Sequence, residues 1–122
     1  MLVADDSKKS TFLGQKWTKG VPIEVSSFAF QMVKHKIETN LGGTAVLRMA
    51  SKKAGPVVTD NGNFILDWQF NPAPERTTEQ WKEINTTLCL IPGVLETGLF
   101  VDMAISAFVG SSDGTSEVIS KK

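Results

Sequence analysis

One cysteine and one histidine are all that this 122-residue chain offers toward thiol or imidazole chemistry. A lone Cys89 cannot form an internal disulfide, which points to a reducing compartment and makes the cytoplasm the expected location. With only His35 beside it, a metal site would need an unusual ligand set, so neither metal nor cofactor is expected. An excess of one charge sign is also lacking. Thirteen basic residues balance thirteen acidic ones, which gives no support to nucleic acid or a membrane surface as a partner. No apolar run approaches the roughly 20 residues needed to cross a bilayer, and residues 1–6 lack the basic and apolar regions of a signal peptide. Neither standard Gly-rich phosphate loop is present.

What is present is ordinary globular composition, 41% hydrophobic and 21% charged, enough for one domain or one domain with fragments of a second. The strongest pattern lies in residues 55–70. Asp60-Asn61-Gly62 is turn chemistry, since Asn and Gly tolerate a left-handed backbone. After it Phe64, Leu66, Trp68 and Phe70 alternate with Ile65, Asp67 and Gln69, the period-2 pattern of a half-buried strand. A one-residue slip would expose all four large apolar groups, so this run sets register for its neighbours.

Taken in order, residues 1–4 form a short apolar run halted by Asp5-Asp6-Ser7-Lys8, like the carboxyl end of a buried parallel strand that begins midway through an element. Residues 9–19 read as a connection. Residues 21–25 read as a strand, held to an edge or to its first residues by Pro22. Ser26 or Ser27 is expected to cap a helix with Phe30, Val33, Ile37 and Leu41 on one face, stopped by Gly42-Gly43. Residues 44–49 form the next strand, followed by the central turn and the alternating strand. Thr77 and Gln80 match a capping box for a second helix carrying Trp81, Ile84, Leu88 and Ile91, ended by Pro92-Gly93. Residues 94–101 read as a fourth strand. The order strand, helix, strand, strand, helix, strand is that of a ferredoxin-like, split βαβ unit: α+β, a four-stranded antiparallel sheet with both helices on one face. A hairpin around the turn Ser111-Ser112-Asp113-Gly114 follows and exceeds what that unit needs.

Candidate site residues are few. Lys8 lies just past the carboxyl end of a strand, where α/β proteins place ligands, yet a lone lysine is more often a solvated loop residue. His35 falls among charged residues on the outer helix face, and Cys89 reads as a small buried hydrophobe. Asp60, Asn63 and Asp67 could be acid–base groups, but turn and strand positions account for them. Trp17, Trp68 and Trp81 could stack on sugars or bases, yet the last two are in register with core positions. From the residues alone, no self-contained active site emerges.

The segments Asp5-Asp6-Ser7-Lys8, Lys19-Gly20-Val21-Pro22-Ile23-Glu24-Val25, Leu47-Arg48-Met49-Ala50 and above all residues 53–68 resemble, in order, landmarks of type A ribose-5-phosphate isomerase, closest to eukaryotic members. Ile91-Pro92-Gly93-Val94, Gly98-Leu99-Phe100 and Asp113-Gly114 complete the series. The resemblance covers the whole chain but only the C-terminal half of the family. It implies interconversion of ribose 5-phosphate and ribulose 5-phosphate, in the pentose phosphate pathway, through an enediolate and without metal. The family's phosphate loop, aspartate pair and catalytic glutamate belong to the other half, so no catalytic residue is expected here and the chain alone is expected to be inactive. Lys8 matches a substrate-contacting lysine and becomes the one expected substrate-binding residue. The resemblance also implies homo-oligomers, and a division into residues 1–19 as a remnant strand and loop of a doubly wound α/β domain, 20–101 as the ferredoxin-like domain, and 102–122 as the return segment. The alternative is a non-catalytic ferredoxin-like module for small-molecule binding or oligomerisation.

Overall fold

The computed structural model describes residues 1–120, so the last two residues of the expected return segment lie outside the described residues. Its elements are β1 (Leu2–Asp5), a 3-10 turn (Asp6–Lys8), β2 (Val21–Val25), α1 (Phe30–Leu41), β3 (Thr44–Leu47), β4 (Phe64–Gln69), α2 (Thr78–Cys89), β5 (Val94–Thr97), β6 (Ser106–Gly110) and β7 (Ser116–Ser120). The result is a mixed α/β architecture with two sheets. One runs β3-β4-β2-β5 and the other β1-β6-β7. All pairings in the four-stranded sheet are antiparallel, whereas β1 and β6 run parallel.

The alternating run sets the register of the larger sheet. Trp68 stands opposite Val21 and Ala45, and Leu66 opposite Ile23 and Leu47, which puts the apolar side chains of three strands on one face. There they join Val33 and Ile37 of α1 and Leu88 of α2 in a single buried cluster. Removing each such side chain from water contributes about 1.5–3 kcal/mol. Trp68 is buried, and its indole N–H donates to the Gly42 carbonyl at 2.9 Å. Phe70 continues the row between Trp68 and Trp81, with ring centroids 5.0 and 5.2 Å away.

The turns follow their residues. Thr59 and Asn63 close the central turn through an N–H to carbonyl bond of 2.8 Å, with Gly62 at φ 77°. The Thr77–Gln80 capping box forms at α2, and Gly42 and Gly43 end α1 with positive φ. Three expectations fail locally, the first being the strand expected over residues 44–49, which ends at Leu47. Neither Ser26 nor Ser27 caps α1: the Ala29 amide bonds the Ser26 carbonyl at 3.0 Å, so a turn precedes the helix and Ala29 occupies the cap without a side-chain bond. The fourth strand stops at Thr97 rather than residue 101. Its neighbour β2 begins at Val21, and Pro22 offers only a carbonyl, which takes the Gly98 amide at 2.8 Å before the chain leaves the ladder.

Candidate functional site

Lys8 ends the 3-10 turn that leaves the carboxyl end of β1. Asp5 caps that turn. Its carboxylate accepts the Ser7 amide at 3.0 Å and, at shorter range, the Ser7 hydroxyl. The Ser7 hydroxyl, with the nearby Lys8 charge as a smaller contribution, holds the Asp5 carboxyl below its usual value. The Asp6 carbonyl accepts the Lys9 amide at 3.1 Å. Lys9 pairs with Glu117 of β7, which ties the turn to the far strand of the small sheet. Lys8 itself makes no hydrogen bond or ion pair among the described residues, and it lines a cavity of about 310 Å³. That volume is at the small end of ligand pockets, roughly 300–1,000 Å³.

The walls of this cavity come from the same segment of chain: Ser7, Ser10, Leu13, Gly14, Lys16 and Trp17 beside Lys8. The side chain of Gln15 accepts the Thr11 amide at 2.7 Å and its hydroxyl at 3.0 Å, which curls the segment back on itself. Gly14, at φ 89°, sits so close to the Phe70 ring that an added Cβ would lie 3.3 Å from it. The curl returns Lys16 to the turn, where its ammonium donates to the Ser7 carbonyl at 3.1 Å. Trp17 is fixed by its own N–H on the Gly20 carbonyl at 3.1 Å, with the Lys19 ammonium 5.3 Å from the ring centre. Sequence reasoning singled out Lys8 and missed Lys16, because the eight-residue separation acquires meaning only through the Thr11–Gln15 curl.

The other candidates lie apart from this cavity. His35 is exposed on α1, where it lines a groove of about 650 Å³ beside β3. Cys89 is exposed rather than buried: it is the last residue of α2, and its neighbour Leu88 takes the inward position. Asp67 pairs with Arg48, whose guanidinium is thereby raised above its ordinary value. Asn63 donates to Glu24 at 3.0 Å, as does the Thr59 hydroxyl at 2.7 Å. Asp60 stays in the exposed turn. Trp68 is core and Trp81 half-buried against Phe70, which leaves Trp17 as the tryptophan at the cavity. Among the described residues no group of three or more His, Cys, Asp or Glu side chains could hold a metal ion, and no helix is long and apolar enough to cross a membrane.

Comparison with known proteins gives a consistent answer. The family model for ribose 5-phosphate isomerase A (phosphoriboisomerase A) matches residues 1–114. The chain is 48% identical over 115 residues to ribose-5-phosphate isomerase of Homo sapiens, covering 94% of this chain and 35% of that protein. Among solved structures, ribose 5-phosphate isomerase A of Methanocaldococcus jannaschii superposes with a TM-score of 0.77 at 37% identity, over 98% of this chain and 48% of the other. A D-ribose-5-phosphate isomerase in complex with phospho-erythronic acid gives 0.79 at 36% identity, over 98% and 48%. The chain thus spans about a third to a half of the length of the proteins it matches. Sequence model, relatives and fold agree over nearly every residue, and on that agreement the chain belongs to the ribose 5-phosphate isomerase A family.

Proposed function

We propose that this chain forms part of an aldose–ketose isomerase that interconverts ribose 5-phosphate and ribulose 5-phosphate, and that Lys8 is its contact with the sugar phosphate. The observation that carries this reading is the place of Lys8: an ammonium with no protein partner among the described residues, at a cavity just beyond the carboxyl end of a parallel strand. An ammonium there acts as a compact charge with three donors for phosphate or hydroxyl oxygens. Proton transfer between adjacent carbons also needs a base within about 3 Å of the moving hydrogen and groups to hold the enediolate oxygens. By the family resemblance the base is a glutamate outside the segments matched here, and the reaction needs no metal or cofactor.

The domain reading belongs to the same proposal. Residues 20–101 are a ferredoxin-like domain with both helices on one face of the sheet, supported by the strand order β3-β4-β2-β5 and the single cluster that α1 and α2 share with it. Residues 1–19 and 102–122 are parts of a doubly wound α/β domain. The parallel pairing of β1 with β6 supports this, as do the exposed Leu2, Val3, Met103 and Ile105, apolar groups suited to burial under further elements. We further propose a cytoplasmic homo-oligomer, in keeping with the single free cysteine and the family.

The test is an isomerase assay on the 122-residue chain, alone and with the N-terminal part of the Homo sapiens relative added in trans. The chain alone is expected to show only background conversion, and activity is expected with the added part. Lys8→Ala in the active mixture should lower kcat/KM by about 1.5–3 kcal/mol in transition-state terms, the scale of a charged hydrogen bond. Full activity from the chain alone would show that the base lies within it. An unchanged kcat/KM would return Lys8 to the solvated-loop reading, and no activity in any mixture would favour the non-catalytic module.

A further inference from the structure

The chain is neutral overall, but its charge is unevenly placed. Between Ser7 and Ile23 stand Lys8, Lys9, Lys16 and Lys19, and no aspartate or glutamate. Two of these cations are already engaged, Lys9 by Glu117 and Lys19 over the Trp17 ring. Among the described residues Lys8 and Lys16 are the two that line the cavity, and none of its walls is a carboxylate. Of the two acids that precede Ser7, Asp5 turns its carboxylate to the amide and hydroxyl of Ser7.

We infer that Lys16 is a second substrate-binding residue, which holds the phosphate group of the sugar phosphate together with Lys8 and positions Lys8 through the Ser7 carbonyl. The inference rests on the reading of this cavity given above and deepens it. An ammonium has three donors; the Ser7 carbonyl takes one, and two are left for an anion. Because Ser7 directly precedes Lys8, the same bond fixes the turn that presents Lys8. Two lysines lining one cavity without a carboxylate in its described walls raise the local potential for a dianion far more than for a neutral sugar. The seat of Gly14 on Phe70 anchors the curl, so Lys16 is delivered by packed structure rather than by a free loop.

The experiment titrates the 122-residue chain with ribose 5-phosphate, inorganic phosphate and unphosphorylated ribose, following backbone amides and lysine side chains by NMR. The variants are Lys16→Ala, Lys16→Arg, Lys8→Ala and, as an exposed control away from the cavity, Lys53→Ala. Lys16→Ala is expected to weaken both phosphates about tenfold, the lower end for a charge-assisted hydrogen bond, and to flatten the salt dependence of binding while leaving ribose unaffected. Lys16→Arg should keep most of the affinity, and Lys53→Ala all of it. Loss with Lys8→Ala but not with Lys16→Ala would overturn the inference and leave the Lys8 reading standing. Loss with Lys16→Ala but not with Lys8→Ala would do the reverse. Equal losses for Lys16→Ala and Lys16→Arg, with amide shifts spread through the turn, would reduce Lys16 to a structural prop and overturn its phosphate contact. No saturable shift at either lysine in the unsubstituted chain would overturn both.

Discussion

At the scale of single residues, the informative positions are those where one side chain serves two parts of the chain. Glu24 on β2 accepts from Thr59 and Asn63, which close the central turn, so one carboxylate holds the turn against the sheet. The Thr59 hydroxyl first, then the Asn63 amide, keep that carboxyl below its ordinary value. With the folded value lower than the unfolded one, Glu24's contribution is complete above the ordinary glutamate range of about 4.3 and is lost as pH falls through the folded value. Asp5, Glu38 and Asp113 are lowered in the same direction. The urea midpoint is therefore expected to drop between pH 7 and pH 3, and Glu24→Gln should remove part of that drop while lowering the midpoint at pH 7. An identical acid profile in the variant would show that the Glu24 bonds do not survive in solution. The turn around Asn61-Gly62 was legible from residue types, whereas its tie to Glu24 was not. Thirty-nine residues separate Glu24 from Asn63, and only the sheet register brings them together.

At the scale of elements, period and capping carried most of the message. The alternation of β4 and the capping box of α2 were readable because local chemistry and tertiary burial agree there. The start of α1 and the end of β5 were not, because each depends on a neighbouring backbone: the turn at Ser26 in one case and the first residues of β2 in the other. The α1–β3 contact is of this second kind. β3 is an edge strand, and the Ala45 amide and carbonyl are taken by α1 side chains, Glu38 at 2.9 Å and Lys34 at 2.7 Å. Lys34 and Glu38 also pair with each other. A sequence pattern assigns both to solvent; the fold uses them to cover an edge that would otherwise offer hydrogen bonds to another strand. The double variant Lys34→Ala, Glu38→Ala is expected to self-associate more strongly with concentration in sedimentation experiments than the parent chain does. Equal sedimentation of the two would mean that the edge is protected by other means.

At the scale of the whole molecule, the two sheets differ in how they are finished. The larger closes one apolar face under its helices, while β1, β6 and β7 leave apolar side chains exposed. A strand before β2 and a hairpin after β5 could be read from the sequence, but the parallel pairing of β1 with β6 could not, since nothing local links residue 2 to residue 107. That pairing closes a loop of about 100 residues, whereas the larger sheet begins and ends side by side, with Ile23 opposite Thr97 and the Gly98 amide on the Pro22 carbonyl. Once that sheet has formed, the loop left to close is only about 30 residues, not quite two doublings shorter and about 1 kcal/mol less costly in chain entropy. Loop closure therefore favours an order of assembly. In pulse-labelled hydrogen exchange, amides of β2 and β4 are expected to gain protection before those of β1 and β6, and simultaneous protection would argue against it. By this order Lys8, which hangs from β1, reaches its place last, so the proposed substrate contact is assembled on a frame that is already finished.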